Sequence, residues 1–176
     1  MKKILVFAGS NSLNSINKKF AVFTAGKLND VTLEIVDLNN FQLPIFGIDL
    51  ELSQGIPNNA MLFLEKIKLS EGIVLSLAEH NGSYTSVFKN LMDWISRIDG
   101  KLWSNIPMLL LATSPGGRGG SSVLNAAKDR FQYMGGNVVA DFSLPFFEEN
   151  FSKLGFKDEE LSLQFQEAIH TFNSML

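Results

Sequence analysis

The chain has 176 residues, 45% of them hydrophobic and 19% charged, with a net charge of −3 at neutral pH and no cysteine. Its apolar content is that of a folded protein, and its length suits one domain with a substantial core. The missing cysteines exclude thiol catalysis, disulfides and Cys-ligated zinc or iron–sulfur centres, and the charge gives no reason to expect nucleic acid or an anionic membrane as partner.

Met1-Lys2-Lys3 is followed by only five apolar residues before Gly9. That is too short for the apolar region of a signal peptide, and no run of about 18 apolar residues follows. A soluble, cytoplasmic protein is expected.

Ile4 to Ala8 predicts a buried strand. Asn17 to Leu28 predicts a helix with Phe20, Phe23 and Leu28 inward. Val31 to Val36 alternates as a second strand. Residues 39–58 read as a long irregular stretch broken by Pro44, Gly47, Gly55 and Pro57. Such a stretch is usually functional or an interface. Asn59 to Leu69 has helical spacing, Gly72 to Leu77 is a third strand, and Ser83 to Ile98 reads as a helix. Ile106 to Ala112 is the fourth strand. A helix over Ser121 to Met134 ends at Gly135-Gly136 acting as a C-cap. Asn137 to Phe142 is the fifth strand. The last helix, Lys157 to Met175, has Asp158 as its N-cap.

Strand and helix alternate five times, and the strands are nearly continuous in apolar residues. This is the pattern of an α/β fold with a five-stranded parallel sheet, doubly wound in the order 2-1-3-4-5 with helices on both faces. No composition shift or linker divides the chain. Ligands of such sheets sit at the carboxyl ends of the strands, where strand order reverses. Three loops fall there: 9–17, 78–83 and 113–120.

The first loop, Gly9-Ser10-Asn11-Ser12-Leu13-Asn14-Ser15-Ile16-Asn17, carries the strongest signal. A strand, a loop of hydroxyls and amides, and a helix start together offer N–H groups and the positive end of a helix dipole. There is no Walker lysine and no second glycine of a dinucleotide fingerprint. A phosphate here would be held by neutral donors; the alternative is a plain capped turn.

The second loop, Ala78-Glu79-His80-Asn81-Gly82-Ser83, offers backbone amides to a planar heterocycle, or simply caps the next helix through Asn81 or Ser83. His80 either stacks or titrates beside a ligand, or is a solvated turn residue. The third loop, Thr113-Ser114-Pro115-Gly116-Gly117-Arg118-Gly119-Gly120, brings four glycines around one arginine, which implies close backbone approach or mobility. Arg118 either meets a phosphate of a second nucleotide or is an ordinary surface residue. A hydrolase would need His80 or His170 brought to Ser10 or Ser15 by folding.

Together the loops resemble the NAD(P)H-dependent FMN reductase family of the flavodoxin-like superfamily, which includes quinone, azo-dye and chromate reductases. The family's first loop reads Gly-Ser-x-Arg-x-x-Ser-x-Asn, matched at Gly9, Ser10, Ser15 and Asn17. Its second motif reads Pro-Glu-Tyr-Asn-Gly-Ser followed by Leu-Lys-Asn-x-x-Asp-Trp. It is matched at Glu79, Asn81, Gly82, Ser83, Lys89, Asn90, Asp93 and Trp94, and Gly116-Gly117 fits the third loop. The resemblance runs from residue 1 to about 142. Ser12 stands where the family has arginine, and Ala78 and His80 where it has proline and tyrosine.

The resemblance implies FMN as cofactor and NAD(P)H as co-substrate, with a quinone or other small molecule as electron acceptor. It implies Ser10, Ser12, Ser15, Ile16 and Asn17 at the phosphate, and Ala78, Glu79, His80, Asn81, Ser114, Pro115, Gly116 and Gly117 at the ring. No catalytic side chain and no metal is expected, because the cofactor carries the chemistry. A flavin electron carrier or sensor, or a domain with weakened FMN binding, is the alternative that Ser12 keeps open. A homodimer or homotetramer is implied too. Phe41, Ile45, Phe46, Trp94 and Trp103 would either build that interface or cover the core. Lys89 and Asp93, four apart, would pair within a helix or across a dimer.

Overall fold

An unbroken apolar run is what a strand buried on both faces requires. Ile4 to Ala8 is such a run, and it lies in β1 (Lys2–Gly9), buried from Ile4 onward. The coordinates are a computed structural model, which describes residues 1–152 and 154–176. Behind β1 follow α1 (Ile16–Ala25) and β2 (Val31–Ile35), then a 3-10 turn at Leu38–Asn40, α2 (Ile48–Gln54) and α3 (Asn58–Lys68). Next come β3 (Gly72–Leu77), the short strands β4 (Glu79–His80) and β5 (Ser83–Tyr84), α4 (Ser86–Ile98) and β6 (Pro107–Thr113). The chain continues through α5 (Ser121–Phe131), β7 (Asn137–Leu144), α6 (Phe147–Asn150), β8 (Phe151–Ser152), β9 (Gly155–Phe156) and α7 (Glu159–Met175).

The five long strands form one parallel sheet in the order β2-β1-β3-β6-β7, the flavodoxin-like order expected from the sequence. Alternation along the strands splits the core in two. Leu5, Phe7, Ile73, Leu75, Met108 and Leu110 face a layer built by α3, α4 and α5. Ile4, Val6, Val74, Leu109 and Leu111 face α1 and α7. Burying one such side chain fully contributes about 1.5–3 kcal/mol, so the central strands anchor everything carried at their carboxyl ends.

Several expectations need correction. The stretch 39–58 is not wholly irregular: Ile48–Gln54 is a helix, opened by Gly47 in extended conformation with Asp49 and Glu51 in its first turn. The helix expected from Ser83 begins at Ser86 instead. Asn81 and Gly82 have φ of 52° and 76°, the two left-handed residues that close a tight hairpin between β4 and β5. The N-cap is therefore Thr85, whose hydroxyl accepts the Phe88 N–H, and neither Asn81 nor Ser83. Trp94 and Trp103 are wholly buried, whereas Ile45 is 77% exposed. The Trp94 indole N–H donates to the Pro44 carbonyl at 2.7 Å, which pins the 39–58 stretch to α4.

Other expectations hold. Gly135 takes a left-handed conformation after a 3-10 turn at Gln132–Met134, and the Gly136 N–H reaches the Phe131 carbonyl. The Asp158 carboxylate caps α7 through the Leu161 N–H at 2.9 Å. Lys89 and Asp93 pair within α4.

Candidate functional site

Loops 9–15, 78–85 and 113–120 meet at the carboxyl ends of β1, β3 and β6 and are tied to one another in pairs. The first tie is Asn17, in the first turn of α1. Its amide nitrogen donates to the Thr113 carbonyl at 3.1 Å, and its amide oxygen accepts the Thr113 N–H at 3.0 Å and the Ser76 hydroxyl at 2.8 Å. The second tie is Thr85, whose hydroxyl donates to the Gly9 carbonyl at 2.7 Å. The third is Glu79, whose carboxylate accepts the Val123 N–H at 3.0 Å in the first turn of α5. A carboxylate is favoured there by the helix dipole.

The third loop is also held from its far side. The Thr113 hydroxyl donates to the Leu144 carbonyl, and the Ser143 hydroxyl to the Gly119 carbonyl. The N–H groups of Phe146 and Phe147 donate to the carbonyls of Gly116 and Ser114. Phe146 has φ of 47°, a conformation that bulky residues rarely adopt, and its ring lies where a Gly117 Cβ would stand, at 2.7 Å. The glycines at 117 and 119 therefore mark close approach between two loops.

Between the ties lies a cavity of about 290 Å³. Its wall includes Ser10, Ser12, Ser15, Ile16, Asn17, Ala78, Glu79, His80, Ser114 and Pro115, all singled out from the sequence. Asn81, Gly116 and Gly117 stand outside this wall, and Asn14 and Thr113 belong to it. Asn14 and Thr113 were read as members of the first and third loops but not assigned to the site. A hydroxyl or amide inside a Ser/Asn-rich loop was the available signal for Asn14, whereas nothing local marks Thr113.

The donors of the first loop are the notable chemistry. Ser15 caps α1 by accepting the Lys18 N–H. Among the described residues, no protein acceptor reaches the N–H of Asn11, Leu13, Asn14, Ile16 or Asn17. Free N–H groups at the start of a ten-residue helix form an anion site, and each charge-assisted bond to them is worth about 1.5–3 kcal/mol. Among the described residues, no lysine or arginine lines the cavity. Lys18 is engaged with Asp37, and Arg118 bonds the Ser122 hydroxyl at 2.7 Å. The Lys18 ammonium, with help from the Asn39 N–H, holds the Asp37 carboxyl below its ordinary range.

His80 is exposed at the cavity rim, with no hydrogen bond to Ser10 or Ser15, and His170 lies on α7 beside a different cavity. Neither serine has the base that a hydrolytic nucleophile needs. No group of three or more His, Asp or Glu side chains comes together as a metal site among the described residues.

Residues 2–149 match the family of NADPH-dependent FMN reductases. A 2-hydroxy-1,4-benzoquinone reductase from Burkholderia is 32% identical over 119 residues, covering 66% of this chain and 63% of that one. A quinone reductase from Escherichia coli K12 is 27% identical over 120 residues, covering 68% of this chain and 63% of that one. The matches thus span less than two thirds of these reductases. An uncharacterized protein of Mycoplasma pneumoniae is 30% identical over 142 residues, covering 77% and 82% of the two chains. Among solved structures, the flavoenzyme NAD(P)H:(acceptor) oxidoreductase FerB from Paracoccus denitrificans superposes with a TM-score of 0.75. It is 23% identical and covers 99% of this chain and 97% of its own, which establishes the fold.

Proposed function

The chain belongs to the NADPH-dependent FMN reductase family, and from that premise we propose that it passes hydride from NAD(P)H to a quinone or another small acceptor, with FMN supplying the redox chemistry when bound. The observation that carries this is the donor set of the first loop. Five N–H groups without protein acceptors, with the Ser10 and Ser12 hydroxyls beside them, suit a phosphate monoester at the start of α1.

The residues of the chain then have separate tasks. The free amides of Asn11, Leu13, Asn14, Ile16 and Asn17 hold the phosphate. Ala78, Glu79, His80, Ser114 and Pro115 line the continuation of the cavity toward the ring. Asn81, Gly116 and Gly117 flank it on the two outer loops. Glu79, held by α5, fixes the hairpin so that the free N–H of Asn81 stays at the turn, where it favours negative charge on a bound ring. Asn17 and Thr85 keep the three loops in one arrangement, which is the preorganisation that binding a rigid ring requires. His80 offers a planar surface at the rim.

The reading extends to a single flavodoxin-like domain acting in the cytoplasm as a homodimer or homotetramer, without nucleic-acid or membrane partners. The exposed apolar side chains of Ile45, Ile48, Leu52 and Met61 support a subunit contact along α2 and α3. No helix among the described residues is long and apolar enough to cross a membrane.

The test is direct. Purified protein titrated with FMN should quench flavin fluorescence and turn yellow. It should then oxidise NADH or NADPH in the presence of a benzoquinone. A chain that takes up no FMN overturns the proposal, and one that binds FMN but oxidises neither nucleotide is a flavin carrier.

A further inference from the structure

A cavity of about 420 Å³ opens between α1 and α7 and shares no wall residue with the first-loop cavity. One end of it is aromatic. Phe165 and Ile169, one turn apart on α7 and both buried, form the floor. Phe23 of α1 and Phe156 of β9 stand beside them. The Phe165 ring lies 4.7 Å from Phe156 and 5.9 Å from Phe23, centroid to centroid, and the Phe23 and Phe156 rings meet at 87°. Leu154, between β8 and β9, belongs to the same wall and is 97% exposed. Rings set at these angles offer an incoming aromatic ring both faces and edges.

The other end is polar, with one lysine and no carboxylate. Lys27 follows α1, and its ammonium stands 4.7 Å from the centre of the Phe23 ring, at the border of the aromatic end. Neither Lys27 nor His170 enters an ion pair among the described residues. Asn29, His170 and Asn173 share this wall and add hydrogen-bonding side chains. Among the described residues no Asp or Glu lines the cavity, although the chain carries a net charge of −3. One uncommitted ammonium over a ring, with amides around it and further rings beyond, is the set of partners that an aromatic ring bearing one carboxylate requires. The volume falls in the usual range for small-molecule sites, about 300–1,000 Å³.

We propose that this cavity binds an aromatic monocarboxylate, with the carboxylate on Lys27 and the ring against Phe23, Phe156 and Phe165. The site is separate from the one proposed for the flavin, and the inference does not rest on that reading. Its occupant touches both α1 and α7, so binding also stabilises the fold.

The experiment titrates the intact chain with 2-naphthoate and follows the amide resonances of the protein. Those of Asn29, His170 and Asn173 should shift together and saturate, and the melting temperature should rise. Lys27→Met keeps most of the side-chain stem and removes the charge, and it should weaken binding roughly tenfold or more. The neutral alcohol 2-naphthalenemethanol should bind the parent chain more weakly by a similar factor. Ser162→Trp, which fills the wall from α7, should abolish binding. Melts without ligand report the fold of each variant. Excess FMN should leave the affinity for naphthoate within twofold. Absence of a saturable shift at these residues overturns the proposal, as does equal binding of the acid and the alcohol or an unchanged affinity in Lys27→Met. Displacement of naphthoate by FMN puts it in the first-loop cavity and overturns the proposal too. A Ser162→Trp chain that changes its sedimentation coefficient and still binds naphthoate assigns the groove to a second copy, with the same consequence. A parent chain that takes up no FMN yet binds naphthoate here sinks the proposed function and leaves this inference standing.

Discussion

Asn17 holds Thr113 from both sides: its amide donates to the Thr113 carbonyl and accepts the Thr113 N–H, across 96 positions of sequence. The same oxygen accepts the Ser76 hydroxyl, so one buried side chain joins α1, β3 and β6 beneath the site. Asn17→Ala strands three buried polar groups. Leaving each one unpaired costs about 1–3 kcal/mol, so a loss of about 3 kcal/mol or more is expected in urea unfolding. FMN affinity should fall with it, because the first and third loops lose their common anchor. A variant as stable as the parent would show that Asn17 is dispensable as a tie.

Gly119 allows the third loop to lie against β7. Its φ is 57°, and an added Cβ would stand 2.5 Å from the Ser143 hydroxyl and 2.8 Å from the Pro145 nitrogen. The backbone contact cannot yield cheaply. Gly119→Ala should cost about 2–4 kcal/mol, whereas Gly116→Ala, which meets nothing within 4 Å, should stay within about 0.5 kcal/mol of the parent. Thermal melts of the two variants separate them.

Tyr84 packs parallel to Phe131, with ring centroids 6.3 Å apart, and its buried hydroxyl has no hydrogen-bond partner among the described residues. Burial pushes its ionisation up to about 12. The unfolded chain ionises near pH 10, so the native state's preference for the neutral phenol costs nothing below that pH. Stability should then fall as pH rises from 10 toward 12. Tyr84→Phe should flatten this alkaline limb and, by removing an unpaired hydroxyl, gain about 1 kcal/mol at pH 7.

Ser12 lines the first cavity, at the position where the resemblance drawn from the sequence implies an arginine. A guanidinium there adds one charge-assisted pair, worth about 1.5–3 kcal/mol, so Ser12→Arg should tighten FMN roughly tenfold to a hundredfold. Fluorescence titration measures this. An unchanged affinity would argue against placing the phosphate on the first loop.

Lys18 holds the Asp37 carboxyl below its ordinary range, and this pair joins α1 to the turn at Leu38–Asn40. Because the folded value is depressed, the stabilisation is present above about pH 4 and is lost as pH falls through the folded value. Both groups are partly exposed, so Lys18→Met should cost less than about 1 kcal/mol at pH 7. The stabilities of parent and variant should converge as pH falls through that depressed value, which melts across the acid range can follow.

The strands were legible because burial on both faces writes itself as unbroken apolar runs; Gly72–Leu77 was found residue for residue. The first loop was legible because a donor-rich strand-to-helix turn has a local composition. Asn81-Gly82 was written just as plainly as a hairpin, but Ser83 and Tyr84 were read forward into the following helix rather than back against Glu79 and His80. Trp94 and Trp103 were left open between an interface and the core because their burial depends on which elements cover them, and the cover over Trp94 is the Pro44 carbonyl fifty positions away. The bonds of Thr113 and the place of Phe146 were invisible for the same reason: their partners are set by the order of strands and carry no local mark. Neighbouring loops can be inferred from topology, but the bonds between them cannot.

The first cavity offers a phosphate peptide amides and hydroxyls, and its one carboxylate, Glu79, is held by the Val123 N–H; this weakens the link between cofactor retention and the ionic composition of the medium. Attraction between opposite full charges weakens as dissolved ions screen it, over a Debye length of about 8 Å at physiological ionic strength. Contact with peptide dipoles involves no such partner charge, and among the described residues no lysine or arginine lines this cavity. A phosphate seated there should lose less affinity between dilute buffer and concentrated potassium chloride than one paired with lysine or arginine, so swings in cellular osmolarity would disturb the cofactor little.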